Sequence, residues 1–163
     1  MAICNLSDLL SLLKPNQCLL GLDYGDVVIG VAIADPAARV ASPLMGLTRR
    51  KFTQDAEILC QIIRERNIGG LIIGLPKNMD GTEGPIAQAA RTFASNLLKR
   101  VALPIPDMPI VFWDERFSTA AVTRAMIADD RSRKKRDEAV DKAAAAYILQ
   151  GALDALQRQK ERP

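Results

Sequence analysis

With 163 residues the chain has room for one compact domain burying roughly 70% of its unfolded surface, and none for a second of equal size. Its 48% hydrophobic and 25% charged residues are those of an ordinary globular protein, and a net charge of +3 is too small to name a partner. The absence of histidine excludes Ser-His-Asp and Cys-His nucleophile systems and histidine-bearing zinc sites, leaving acid–base work to Asp, Glu, Lys, Tyr or a metal.

The chain begins with Asn5 to Lys14, where Leu6, Leu9, Leu10 and Leu13 recur at helical spacing. Asp8 interrupts the apolar run and no basic region precedes it, so this reads as a short amphipathic helix, not a signal peptide. No apolar run approaches membrane length. Cys4, Cys18 and Cys60 are odd in number and widely spaced, which fits neither a disulfide framework nor a zinc knuckle and points to a reducing, cytoplasmic setting.

Leu19 to Ala34 predicts two apolar strands folded back through a turn at Tyr24 to Val27, with one carboxylate, Asp23, where the first strand ends. An ionised group beside a sheet core loses solvation and stays charged only opposite a cation, a donor or a metal. After an Asp35-Pro36 turn, Val40 to Leu47 predicts a third, irregular strand whose Pro43 demands an edge or a bulge. Phe52 to Arg66 is an amphipathic helix by its spacing, ending near Asn67. Gly69 to Leu75 is a wholly apolar run bounded by glycine, the pattern of a strand covered on both faces, so helix then strand implies a parallel crossover.

The polar loop Pro76 to Pro85 leads into a helix over Ile86 to Val101, with Thr82 as its candidate N-cap. Pro104, Pro106 and Pro109 keep the next connection extended, and Ile110 to Trp113 is the last buried strand. Asp114 and Glu115 follow at once, and since neighbours on a strand point to opposite faces, at most one of them shares a face with Asp23. Ser118 or Thr119 can cap a helix to about Ala128, and the basic segment Asp129 to Arg136 joins it to a last helix over Asp137 to Gln157. Asp137 and Glu138 suit the positive end of that helix dipole. Asp141 instead shares a stripe with Ala144, Ala145, Ile148 and Ala152, the small-residue face that would lie against the sheet.

Asp23, the Asp114-Glu115 pair and Asp141 thus come from separate segments, and each ends at or faces one edge of the sheet. Crowded carboxylates repel and resist ionisation unless cations neutralise them. Oxygen-only ligands favour magnesium or manganese over zinc, and two such ions roughly 3.5 to 4 Å apart suit phosphodiester hydrolysis.

Five short stretches in order, Gly21-Leu-Asp-Tyr-Gly25, Ile29-Gly-Val-Ala32, Ile73-Gly-Leu-Pro-Lys-Asn-Met-Asp-Gly81, Asp114-Glu-Arg-Phe-Ser-Thr119 and Val140-Asp-Lys-Ala-Ala144, resemble the YqgF/RuvX family of pre-16S rRNA nucleases, also described as Holliday-junction-resolvase-like. The resemblance implies an α/β fold of RNase H type, a central five-stranded mixed sheet flanked by helices, as a single domain over residues 1–163 with 1–17 as an N-terminal helical extension. It implies Asp23, Glu115 and Asp141 as catalytic, metal-binding acids with Mg2+ or Mn2+, leaving Asp114 as a neighbour. The family's first motif usually carries basic residues where this chain has Val27 and Val28, so either the contact is supplied elsewhere or binding is weaker. Arg131, Arg133, Lys134, Lys135 and Arg136 are the obvious substitute, with Lys77, Asn78, Arg116 and Thr119 as secondary nucleic-acid contacts or, equally, local loop hydrogen bonders.

The expected activity is metal-dependent cleavage of structured RNA in small-subunit rRNA maturation, with resolution of branched DNA as the alternative. A monomer fits the first and a homodimer the second. The Asp-x-Gly hairpin also resembles the phosphate-binding hairpin of actin-like ATPases and sugar kinases, which close two such domains on a nucleotide. A non-catalytic binding module is the remaining class.

Overall fold

A computed structural model describes residues 3–35, 40–99, 108–117 and 133–161. Helix α1 spans Leu6–Leu12, and strands β1 and β2, Cys18–Tyr24 and Val28–Ala34, form the expected antiparallel hairpin. Strand β3, Ser42–Thr48, pairs antiparallel with β2 at the sheet edge, and the register slips between Val31 and Ala32, opposite Met45 and Pro43. Pro43 therefore sits where both of its expected solutions, edge and bulge, are realised together.

Helix α2, Phe52–Glu65, stops before Asn67, whose φ of +53° turns the chain into β4, Ile68–Leu75. Every residue of β4 is buried, because it lies in the middle of the sheet. Helix α3 is Pro85–Leu98 and β5 is Ile110–Asp114, which passes directly into a 3-10 turn, Glu115–Phe117. The final helix, α4, is Arg133–Glu161. The strand order β3-β2-β1-β4-β5 joins an antiparallel meander to two parallel crossovers, the mixed five-stranded sheet of an RNase H-like fold.

Alternation along the strands splits the core in two. Leu20, Leu22, Ile29, Val31 and Ile73 face Leu59, Ile63, Ala90 and Ala94 of α2 and α3. Leu19, Ala32, Ile72 and Val111 face Ala144, Ala145, Ile148, Leu149 and Ala152 of α4, with Leu9 of α1 joining them. Gly21 sets how closely α4 approaches: a Cβ there would lie 2.8 Å from Leu149 Cβ and 3.2 Å from the Ala145 carbonyl oxygen.

Two helix starts differ from the sequence expectation. Helix α3 begins with Pro85 at its first position after Gly84, where the missing proline N–H costs nothing, so Thr82 is no cap. Thr82 instead closes the preceding loop, donating its backbone N–H and hydroxyl to Asp80 Oδ1 at 3.0 and 2.6 Å. Helix α4 begins at Arg133, not Asp137, because Arg and Lys are good helix formers and no glycine or proline interrupts them. The turn at Pro36, the prolines Pro104 and Pro106 and the helix expected from Ser118 or Thr119 to Ala128 lie outside the described residues.

Candidate catalytic site

The site is built at the carboxyl ends of β1, β4 and β5. On β1, Leu20, Leu22 and Tyr24 face α2 and α3, so Asp23 must leave the other face, the one covered by α4. It is only 5% exposed. On β4 the matching positions are Ile72 and Gly74, and on β5 they are Val111 and Trp113. Continuing that alternation by one step puts Glu115 on the α4 face and Asp114 off it.

The side chains obey this parity. Glu115 is 6% exposed. A Cβ added at Gly74 would lie 2.7 Å from Glu115 Oε1 and 2.5 Å from Ile148 Cδ1, so the carboxylate reaches over β4 into space that only glycine leaves open. β4 is the strand between β5, which delivers Glu115, and β1, which delivers Asp23.

Asp114 has a different environment. Its carboxylate accepts the Arg116 backbone N–H at 3.0 Å and the Arg116 guanidinium through Nε at 3.0 Å and Nη2 at 2.7 Å. Those bonds hold its carboxyl below the usual carboxylate range, against the opposing effect of partial burial. Arg116 also donates through Nη1 to the Met79 carbonyl at 3.4 Å, which ties the β5 turn to the loop after β4. The latch fixes the backbone from which Glu115 projects.

Asp141 lies in α4, one helical turn before Ala145 and two before Ile148, both of which pack on the sheet. Its side chain is outside the described residues, as are those of Arg133, Lys134, Lys135 and Arg136 in the first turn of the helix; Thr119 and Arg131 are outside altogether. Among the described residues no three acidic or cysteine side chains form a metal-holding group. Two of the expected trio are described, and both are buried.

The secondary candidates are engaged locally. Lys77 Nζ is 4.0 Å from Glu83 Oε2. Asn78 donates its side-chain amide to Thr82 Oγ1 at 2.9 Å and its backbone N–H to the Thr82 carbonyl at 2.8 Å. Glu83 accepts two further bonds from Arg91, at 2.6 and 2.8 Å, which hold its carboxyl below the ordinary range. Val28 is buried in β2, and Val27 is 63% exposed in the turn.

Two residues that the sequence reading passed over stand at this edge. Arg49 donates Nη1 to the carbonyls of Gly25 and Asp26, at 3.2 and 3.1 Å, and its guanidinium lies 4.7 Å from the centre of the Tyr24 ring. Asp55, 2% exposed in the first turn of α2, accepts the Arg50 backbone N–H at 3.1 Å. The signal was present as three consecutive cations, Arg49-Arg50-Lys51, followed by an acid four residues on, the spacing at which a first-turn side chain reaches back to the incoming backbone.

The donor set fits a hard divalent cation. Asp23 and Glu115 offer oxygen only, both are withdrawn from bulk water, and Gly74 supplies the room that the Glu115 carboxylate occupies.

Comparison with known proteins gives a consistent picture. A family model described as RuvX, Holliday junction resolvase, matches residues 17–155. A protein of Rhodospirillum centenum named "Putative pre-16S rRNA nuclease" is 53% identical over 163 residues, covering 100% of this chain and 87% of its own. One of the same name from Paramagnetospirillum magneticum is 51% identical over 154 residues, 94% of this chain and 96% of that one. Among solved structures, Thermus thermophilus RuvC in complex with a Holliday junction substrate superposes with a TM-score of 0.53 at 12% identity, covering 86% of this chain and 96% of that one. The yeast mitochondrial Holliday junction resolvase Ydc2 gives 0.52 at 11% identity, over 95% and 85%. At such identities the likeness is one of fold.

Proposed function

The chain belongs to the RuvX family and is a nuclease, a hydrolase of phosphodiester bonds, and from that premise we propose that it cuts structured precursor RNA of the small ribosomal subunit at the carboxyl edge of its sheet. Asp23, Glu115 and Asp141 would be the catalytic acids and would hold Mg2+ or Mn2+. The observation that carries this reading is the convergence of two buried carboxylates, Asp23 at the end of β1 and Glu115 just after β5, on the α4 face with only the bare backbone of Gly74 between their strands.

A bound divalent ion would offset the charge of the scissile phosphate and ease deprotonation of the attacking water. The protein's own residues do the rest. Burial of Asp23 and Glu115 keeps bulk water from screening them, so their pull on a cation is stronger than at the surface. The Arg116 latch on Asp114 keeps the strand-to-turn backbone in one geometry, and α4, lying close over Gly21, would bring Asp141 to the same face of the sheet. The work of such an enzyme belongs in the cytoplasm.

A second reading, resolution of branched DNA, is favoured by the description of the matching family. Both use the same acids on different substrates, and symmetric cutting of a junction needs a two-fold dimer. The discriminating experiment offers a labelled precursor rRNA fragment and a four-way DNA junction to wild type and Asp23→Asn, with magnesium or EDTA. The first reading expects the RNA alone to be cut, with loss of cutting in EDTA and in Asp23→Asn. Paired symmetric nicks in the junction would move the assignment to the second, and binding of both substrates without any cutting would remove the proposed catalytic role.

A further inference from the structure

The hairpin turn beside Asp23 lacks side-chain cations, since Val27 and Val28 occupy its second half, yet a strong positive patch stands directly behind it. Strand β3 pairs Thr48 with Val28, so its end delivers Arg49, Arg50 and Lys51 to the carboxyl edge of β1. The Arg49 backbone N–H donates to the Val27 carbonyl at 2.8 Å. Its guanidinium holds the Gly25 and Asp26 carbonyls and stacks on Tyr24. That side chain is therefore fixed, with its charge under the turn.

Arg50 and Lys51 are exposed, and among the described residues neither side chain makes an ion pair. Asp55, the acid nearest in sequence, is buried and spends both carboxylate oxygens on the Arg50 backbone N–H, at 3.1 and 3.2 Å. The exposed Asp26 is the one acid in the turn itself. Holding the Arg50 backbone in this way presents Arg50 and Lys51 outward from a rigid base.

Asp55 complements the positive end of α2 and is buried, so the exposed charges of Arg50 and Lys51 face solvent beside the guanidinium of Arg49, a local excess of positive charge suited to an anion. We propose that Arg49, Arg50 and Lys51 form a phosphate-backbone anchor for the nucleic acid substrate, with Arg50 and Lys51 contacting successive phosphates and Arg49 positioning them through the turn. Asp23 and Tyr24 leave opposite faces of β1, so a strand lying across this edge meets the acids on one side and the cations on the other. The proposal rests on the nuclease reading for its partner, and the ligand chemistry is the phosphodiester backbone shared by RNA and DNA.

The test measures binding of the full chain in EDTA, where nothing is cut, to a structured precursor rRNA fragment and a four-way DNA junction between 50 and 300 mM salt. Arg50→Gln/Lys51→Gln removes two exposed cations without touching the turn. Arg64→Gln/Arg66→Gln removes the same charge from the other end of α2, about 20 Å away. For the first pair the slope of log affinity against log salt should become shallower by about 2, with affinity at 150 mM roughly tenfold weaker, on whichever substrate binds. The second pair should leave both near wild type. Equal losses in the two pairs, or none in the first, would overturn the anchor. Because the slope is read without turnover, a protein that binds in this way but never cuts would sink the nuclease reading and leave the anchor in place.

Discussion

Gly74→Ala isolates the geometry of the site from its chemistry, because it adds one methyl group and changes no functional residue. The new Cβ would sit 2.7 Å from Glu115 Oε1 and 2.5 Å from Ile148 Cδ1, and ordinary contact begins near 3.4 Å, so the carboxylate oxygen must retreat by about 0.7 Å. Both clashing atoms are the far ends of flexible side chains, so rotation absorbs most of the strain. The cost to stability should stay at the low end of overpacking, about 1 kcal/mol, partly offset by the lower unfolded-state entropy of alanine. Function has no such slack, since misplacing a reacting group by about 1 Å can cost on the order of 100-fold. Cleavage of the precursor rRNA fragment with magnesium should therefore fall about 100-fold in kcat with KM little changed, while the urea midpoint moves slightly. Adding Ile148→Val relieves the second clash and should recover the midpoint without recovering the rate. Wild-type cleavage by Gly74→Ala would refute the reasoning, because Glu115 would then not need the place it occupies.

Two other perturbations have defined outcomes. Gly21→Ala puts a Cβ 2.8 Å from Leu149 Cβ and 3.2 Å from the Ala145 carbonyl, atoms that move only with α4 itself, so denaturant unfolding should show a loss of about 1–3 kcal/mol or more. Glu83→Gln removes the Arg91 pair, whose hydrogen bonds hold the Glu83 carboxyl below its ordinary value. A depressed carboxylate contributes stability above its unfolded pKa of about 4.3 and loses it as pH falls through the lowered folded value. The difference in urea midpoint between wild type and Glu83→Gln should therefore be present at pH 7, worth at most about 1 kcal/mol for a pair this near the surface, and shrink as pH falls below about 4.3 and through the lowered folded value. A difference that persists unchanged at pH 3 would assign it to packing.

The sheet was legible because its signals are local. Short apolar runs, bounded by a turn, by glycine or by proline, marked β1, β2, β4 and β5, and Pro43 pointed to an edge or a bulge, both of which β3 has. Parity along β5 allowed at most one of Asp114 and Glu115 to share a face with Asp23, the family resemblance named Glu115, and the structure adds what each one meets. Helix starts were harder. Thr82 has the chemistry of a cap but is closer to Asp80 and Asn78 than to a helix end, and competition of that kind is decided by loop geometry. The basic run before Asp137 reads as a linker by charge, although its residues are good helix formers and α4 includes them from Arg133 onward. Arg49 was missed because its role depends on the pairing of β3 with β2, a contact that no local pattern reveals. The same pairing accounts for how a turn carrying Val27 and Val28 acquires a guanidinium.

The most direct measurement of the central claim compares two neighbouring carboxylates. Glu115→Gln and Asp114→Asn each remove one charge and keep the size of the side chain, at adjacent positions, the last of β5 and the first of the turn after it, whose side chains lie on opposite sides of the sheet. With saturating magnesium and the precursor rRNA fragment, Glu115→Gln should lose cleavage by a factor on the order of 100 to 1,000, the scale of losing one electrostatic group at a reacting centre. Asp114→Asn should cut within about tenfold of wild type, since it keeps the side-chain oxygen that accepts from Arg116 and so most of the latch that positions Glu115. Equal losses in the two, or a larger loss in Asp114→Asn, would contradict the assignment of the site to the α4 face.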